Sequence, residues 1–238
     1  FDIRSLIQLI KILIKEKPLI VKTAMFLSNT ILWLLKPFLG FVVITAEHNT
    51  ETKRPFSHRC INRLLSKITY TIIADSITVA DHVSKIEKIS RDKFTVVYNG
   101  VELEERGNTK RQFSSEREHI RNELSVSTDE PLFLTVARLV IQKNHNLMIR
   151  GFAQYLRIGG KGKLVIIGDG VLRDKLQQLA KDLHIYQSVI FLGERQDIYK
   201  YYVVSDFFLL TSIREGFCIS AMNGLAFGIP LISTRVAG

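Results

Sequence analysis

The sequence predicts an α/β protein built from two parallel sheets with helices on both faces. Three observations lead there. Short apolar runs alternate with segments of helical periodicity, the order that parallel strands require because each crossover needs a helix-length connection. The 238 residues are 46% hydrophobic and 24% charged, apolar enough to bury real cores and so unlike a disordered chain. Between residues 104 and 130 the chain turns charged and loses its long apolar runs, with a polar stretch at 107–110. That interval marks a seam between one domain at 1–100 and a second at 101–238.

Residues 3–14 read as a helix in which Arg4, Gln8, Lys11 and Lys15 recur three or four apart along one edge and the other faces are aliphatic. Two readings fit it: a buried core helix, or an interfacial helix whose basic edge rests on an anionic membrane surface. A strand at 19–22 follows. Residues 24–45 are strongly apolar, but Lys36-Pro37 divides them into pieces shorter than the roughly 20 residues a spanning helix needs. They read as a helix at 26–35 and a buried strand at 41–45. The other strands of the first domain fall at 71–74 and 95–98. Those of the second fall at 132–136, 163–167, 189–191, 207–210 and 230–233, with helices between nearly every pair.

The formal net charge is +10, and most of it sits in residues 1–100, where 15 Lys/Arg face 8 Asp/Glu. Such an excess draws phosphates, nucleic acid or an anionic lipid surface through a field that salt screens. Nucleic acid is not expected as a partner, because the basic half lacks interleaved aromatic residues on which bases could stack. Cys60 and Cys218 cannot build a disulfide framework, and no Cys/His cluster has zinc spacing, so no metal site is expected. The opening residues lack the basic, apolar and small-residue segments of a secretory leader, and a reducing, cytoplasmic setting is the expectation. A start at Phe1 and a stop at Gly238 directly after a strand suggest a piece of a longer protein, lacking both ends.

Ligands of open parallel sheets bind at the carboxyl ends of the strands, so the residues following each strand carry the functional reading. After the strand at 132–136 come Arg138 and, five residues on, Lys143. After 163–167 comes Gly168-Asp169-Gly170, and after 207–210 comes a loop containing Arg214, Glu215, Gly216 and Phe217. Taken singly, Arg138 and Lys143 read as surface charges and Gly168-Asp169-Gly170 as a turn. Taken together they suit a pyrophosphate, which an arginine fork, a lysine point charge and free N–H groups at a helix start can meet. Gly216 lets backbone approach a ligand closely, and Glu215 can accept hydrogen bonds from sugar hydroxyls. The combination describes a nucleotide-sugar site.

An ordered set of blocks makes the likeness specific. Tyr98-Asn99-Gly100-Val101-Glu102, Ala137-Arg138-Leu139 with Lys143, and Ile167-Gly168-Asp169-Gly170 come first. Phe191-Leu192-Gly193, Ser205-Asp206, and Glu215-Gly216-Phe217 through Gly228-Ile229-Pro230 follow. This set resembles the glycosyltransferase group 1 family, also called family 4, over about residues 40–238. The resemblance implies a GT-B fold: two Rossmann-like domains with parallel sheets, the N-terminal one for the acceptor and the C-terminal one for the donor. Both domains are expected to be incomplete here. It further implies a retaining transfer from a nucleotide-sugar donor to a glycolipid or saccharide acceptor in cell-surface polysaccharide or glycolipid synthesis. No cofactor and no catalytic metal are implied, and the chain has no Asp-x-Asp. The implied location is cytoplasmic, peripheral on the inner face of a membrane.

By position, the resemblance gives Arg138 and Lys143 contact with the donor diphosphate and stabilisation of the leaving group. Glu215, first acid of the family's E-x7-E motif, would meet the donor sugar, with backbone N–H groups of Gly216, Phe217 and Cys218 close by. Phe191, Leu192 and Gly193 would lie near the nucleobase. His48, in Ala46-Glu47-His48-Asn49 after the strand at 41–45, reads alone as a surface residue. The resemblance instead places it in the cleft near the sugar. The second acid of the motif falls on Asn223, where an amide replaces a carboxylate, and this bears on donor affinity and donor choice. Two other functions stay consistent with these residues. One is another GT-B nucleotide-sugar enzyme of epimerase type, and the other a degenerate binding module without catalysis.

Overall fold

The computed structural model describes residues 2–48, 54–101 and 114–236. Asn49, Glu102 and the polar stretch at 107–110 lie outside the described residues. The chain divides into two compact units, residues 1–99 and 100–237.

The first unit carries four strands, β1 (Ile20–Ala24), β2 (Val42–Glu47), β3 (Thr71–Ala74) and β4 (Phe94–Val96), hydrogen-bonded in that order and all parallel. Its helices are α1 (Ile3–Glu16), α2 (Phe26–Leu39), α3 (Phe56–Leu65) and α4 (Ile77–Glu87). Asp2 opens α1 by accepting the Arg4 N–H at 3.0 Å, and Ser76 opens α4 by accepting that of Val79 at 3.1 Å. Lys17 and Lys88 end the same two helices in left-handed backbone. The sheet buries Leu32, Trp33, Phe41 and Val43 in one cluster and Ile72, Ala74, Val79, Val83 and Phe94 in another.

Two expectations are corrected here. Helix α2 does not stop before Lys36-Pro37 but runs to Leu39 with Pro37 inside it. Pro37 sits in the last turn, where one lost N–H costs little, and the Gly40 N–H closes the helix on the Lys36 carbonyl at 2.9 Å. Nor is α1 a buried core helix in this structure: Leu13 alone of its residues is buried, and Ile3, Ile7, Ile12 and Ile14 are exposed. Its aliphatic faces are wider than the single stripe that the sheet can cover. Among the described residues, no helix is long and apolar enough to cross a membrane.

The second unit has five parallel strands, β5 (Leu132–Val136), β6 (Lys163–Ile167), β7 (Val189–Gly193), β8 (Phe207–Leu210) and β9 (Leu231–Ser233). Their spatial order is β7-β6-β5-β8-β9. The chain therefore winds outward through β6 and β7, then returns past β5 to build the other side. That reversal between β5 and β8 opens a crevice at the strand ends. The helices are α5 (Ser114–Glu123), α6 (His145–Arg157), α7 (Arg173–Asp182), α8 (Tyr199–Val204) and α9 (Ile219–Ala226).

Period-two alternation sorts the side chains between two cores. Leu132, Leu134, Val165, Ile167 and Phe208 pack with Tyr202 and Ile229, while Phe133, Leu164 and Ile166 pack with Met148, Phe152 and Leu176. Strands covered on both faces read as continuous apolar runs, which is why β5 and β6 were plain in the sequence. At the opposite end from the crevice, Asp206 accepts the Leu132 N–H at 2.9 Å and pairs with Arg117 at 2.7 Å and Arg121 at 3.2 Å. The Ser205-Asp206 block is therefore structural: it fastens α5 and the entry of β5 to the entry of β8.

Candidate functional site

In the second unit the loops at the carboxyl ends of β5, β6 and β8 are knitted together by main-chain contacts. The Ala137 N–H bonds the Ile167 carbonyl at 2.9 Å, that of Leu139 the Asp169 carbonyl at 2.9 Å, and that of Ile213 the Gln142 carbonyl at 2.8 Å. Glycine is required where the first two loops meet. Gly168 and Gly170 have φ of +128° and +156°, and a Cβ on Gly170 would lie 2.6 Å from the Leu139 carbonyl oxygen. A Cβ on Gly168 would overlap the Ala137 carbonyl oxygen outright.

This knitting sets two charged side chains face to face. Lys143, in the turn between β5 and α6, donates from Nζ to Oε1 of Glu215, in the loop between β8 and α9, at 2.6 Å. The Ser212 hydroxyl donates to the same oxygen at 2.5 Å. Glu215 is 6% exposed, so the pair sits in a site where charge is poorly screened. Thr211 holds the lysine's own backbone, donating from Oγ1 to the carbonyls of Lys143 at 3.2 Å and Asn144 at 3.1 Å. Lys143 and Glu215, singled out separately in the sequence, thus form one unit across the β5–β8 crevice. Ser212 was missed; its signal is only its place three residues before Glu215, after a strand.

The other residues singled out in the sequence lie at the ends of β5, β6 and β7 and at the entry to and within α9. Arg138 is exposed just beyond β5 and its guanidinium makes no ion pair or hydrogen bond among the described residues. Asp169 accepts the Gly170 N–H at 2.7 Å and Arg173 Nη1 at 2.8 Å, which together hold its carboxyl below the usual range. Phe191 and Leu192 lie in β7 and lean on the two cores, while Gly193 ends the strand with φ of +69° and bonds the Gly168 N–H at 2.7 Å. Gly216 is buried, Phe217 and Cys218 lead into α9, and Asn223 lies within that helix. Cys218, the N-cap of α9, makes no side-chain capping bond.

His145, which opens α6, was not anticipated. It is 1% exposed, and neither ring nitrogen has a hydrogen-bond partner among the described residues. Burial, aided by the Lys143 charge, pushes its pKa down to about 4, so the ring is neutral near pH 7.

The first unit has its own rim at the ends of β2 and β3. His48 follows β2 and is half exposed, with Nδ1 3.5 Å from Oδ2 of Asp75, which follows β3 and is buried. Burial raises the Asp75 pKa against the opposing pull of His48. Beside them, Arg54 binds Glu47 (Nη2 to Oε2, 2.6 Å) and Glu87 (Nη1 to Oε1, 2.6 Å), and Asn62 donates to the same Glu87 oxygen at 2.8 Å. Burial opposes the charge on Arg54, but the two carboxylates outweigh it and raise the pKa above its usual value. The sequence pointed to His48 alone. Asp75 and the Arg54 network carried no signal, since Glu87 lies 33 residues from Arg54.

Each unit matches a family of known proteins. Residues 116–238 match the family Glycosyl transferases group 1, and residues 1–105 match Glycosyltransferase Family 4. The N-acetylgalactosamine-N,N'-diacetylbacillosaminyl-diphospho-undecaprenol 4-alpha-N-acetylgalactosaminyltransferase of Campylobacter jejuni is 33% identical over 61% of this chain and 36% of its own length. The N-acetyl-alpha-D-glucosaminyl L-malate synthase of Bacillus anthracis is 27% identical over 87% of this chain and 53% of its own. The chain thus spans about half or less of these curated relatives. Among solved structures, HepE of Anabaena in complex with UDP and glucose superposes with a TM-score of 0.84 at 18% identity, covering 98% of this chain and 65% of HepE. Sucrose-phosphate synthase of Thermosynechococcus elongatus gives 0.81 at 17%, covering 99% and 60%. These likenesses show the GT-B fold. The group 1 match runs through more than half of the sequence and takes in both halves of the Lys143–Glu215 pair, and the chain belongs to that glycosyltransferase family.

Proposed function

We propose that the protein of which this chain is part transfers a sugar from a nucleotide-sugar donor to a saccharide or lipid-linked acceptor, with retention and without a catalytic metal. The observation that carries the reading is the Lys143–Glu215 contact of 2.6 Å at the strand reversal. There a cation and a sugar-binding carboxylate share one partly buried site. Lys143 and Arg138 meet the donor diphosphate, and the first-turn N–H groups of α9 add a neutral share of the same field. Glu215, held by Ser212, accepts hydroxyl protons from the donor sugar.

The bond from the anomeric carbon to the diphosphate oxygen breaks, and negative charge grows on that oxygen. Preorganised cations lower the energy of this state without reorganising at the moment of reaction. The acceptor hydroxyl attacks the anomeric carbon from the face the phosphate leaves, and its proton passes to the departing phosphate oxygen. His48, oriented by Asp75, lies on the acceptor-side unit in this reading. UDP in the HepE structure and the lipid-linked acceptor in the name of the Campylobacter enzyme support the donor and acceptor classes. The test is incubation of the protein with a panel of nucleotide sugars, with and without acceptors, followed by NMR of the product's anomeric proton. Donor-dependent product of unchanged anomeric configuration is expected. Inverted product would overturn retention, and altered free sugar without acceptor would favour the epimerase-type alternative.

A membrane surface is proposed as a further partner on a separate observation. Exposed Ile3, Ile7, Ile12 and Ile14 share α1 with Arg4, Lys11 and Lys15, the composition of a helix that lies in an anionic interface. Sedimentation with anionic vesicles that reverses as salt rises is expected. Equal capture by neutral vesicles would argue against a role for the basic edge.

A further inference from the structure

Oε1 of Glu215 takes two hydrogen bonds, from Lys143 Nζ at 2.6 Å and from the Ser212 hydroxyl at 2.5 Å, while Oε2 takes none among the described residues. We propose that Ser212 is a positioning residue: it holds the Glu215 carboxylate while Lys143 leaves it for the donor diphosphate, so that the Lys143–Glu215 contact is the donor-free state of the site. The proposal rests on the transferase reading and adds to it a residue and an exchange of partners.

The two hydrogen-bond donors differ in freedom. Lys143 carries its ammonium on a flexible four-carbon stem, and its side chain is 17% exposed, so Nζ can swing toward an arriving anion. Ser212 is 2% exposed, and its hydroxyl stands one carbon from the backbone. That backbone is fixed on both sides. Thr234, just past β9, donates from Oγ1 to the Ser212 carbonyl at 2.9 Å, the Ile213 N–H bonds the Gln142 carbonyl at 2.8 Å, and Gln142 Nε2 donates to the Arg214 carbonyl at 3.1 Å. A diphosphate therefore draws the lysine and leaves the serine in place.

Charge makes the serine necessary. A carboxylate in poorly screened surroundings costs heavily when nothing donates to it. The Glu215 side chain is 8% exposed, and Lys143 and Ser212 are its two hydrogen-bond donors among the described residues. Once Lys143 moves to a phosphate, the Ser212 hydroxyl remains on Oε1, and Oε2 stays open to a sugar hydroxyl. Without Ser212, the cost of stripping the carboxylate falls on donor binding. In this role the serine acts through Glu215 and needs no contact with the donor.

The experiment is a double-mutant cycle read by calorimetric titration of UDP, GDP and ADP into wild type, Ser212→Ala, Glu215→Gln and the double variant. With Glu215 in place, Ser212→Ala should weaken the diphosphate that binds by about tenfold, the size of one charge-assisted hydrogen bond. With Glu215→Gln no charge is stranded when Lys143 leaves, and the serine substitution should then change affinity by about twofold or less. Glu215→Gln alone should tighten the diphosphate by about threefold, because Lys143 is already released. Thr234→Ala loosens the same loop without touching the carboxylate, and its effect should be equal in both backgrounds. Ser212→Cys, close in size and a weak donor, replaces Ser212→Ala if that variant fails to fold. No loss in Ser212→Ala, a loss equal in both backgrounds, or a coupling to position 215 no larger than that of Thr234→Ala overturns the proposal while the donor reading stands. Wild type that binds none of the three diphosphates removes the transferase reading and the proposal with it.

Discussion

The two rims are held by different means. In the second unit the loops lock onto one another through backbone N–H to carbonyl bonds at Ala137, Leu139 and Ile213, and glycines at 168 and 170 permit the contact. In the first unit main-chain bonds such as Asp75 N–H to the Glu47 carbonyl at 3.4 Å are joined by a network of side-chain ions, one guanidinium between two carboxylates. A rim fixed by backbone keeps its shape when its charges change partners. A rim fixed by ions keeps its shape only while its charges stay where they are. The first arrangement suits loops whose charges exchange partners, and the second loops whose charges stay paired.

That difference predicts where the molecule is fragile. Arg54→Ala leaves Glu87 and Glu47 without their counterion, and breaking a buried pair from one side costs about 3–5 kcal/mol. The single tryptophan, Trp33, is 3% exposed in the first unit and its fluorescence reports that unit's unfolding. The urea midpoint read by Trp33 should fall steeply in this variant, and an unchanged midpoint would show that the network holds nothing. In the second unit the comparable lesion is in the backbone. Gly168→Ala places a Cβ on the Ala137 carbonyl oxygen at φ of +128°, a strain of about 3 kcal/mol. It should lower stability by circular dichroism and weaken nucleotide binding together, because the same contact shapes the loop before Lys143.

A third contrast concerns pH. The folded pKa of His145 is about 4 against an ordinary 6.5, so between those values the unfolded chain takes up a proton that the folded one refuses. Stability therefore falls as pH drops from about 6.5 toward 4 and gains no further loss from this group below that. Between pH 7 and 4.5 the loss amounts to about 2–3 kcal/mol. Denaturant titrations of His145→Gln should show a pH dependence smaller by about that amount, and parallel curves for both proteins would show that the ring is protonated in the fold.

The sequence made most of this architecture legible, and the reasons differ by element. β5 and β6 stood out because strands covered on both faces are unbroken apolar runs. The three loops after β5, β6 and β8 stood out because position after a strand is itself a signal, and the structure joins them by main-chain bonds. The spatial order β7-β6-β5-β8-β9 was not readable, since neighbours in a sheet need not be neighbours in the chain. For the same reason Lys143 and Glu215, 72 residues apart, could be named but not paired. Arg54 had the character of any surface arginine until Glu87 closed over it. Pro37 misled because a breaker's effect depends on its place within the helix, which local sequence does not state.

The central claim, that the β5–β8 crevice binds a nucleotide diphosphate through Lys143, is tested most directly by calorimetric titration of UDP and uridine into wild type, Lys143→Ala and Arg138→Ala. A charge-assisted contact contributes about 1.5–3 kcal/mol, so each variant should lose about tenfold or more in UDP affinity while the response to uridine hardly moves. Equal UDP affinity in all three proteins would contradict the account.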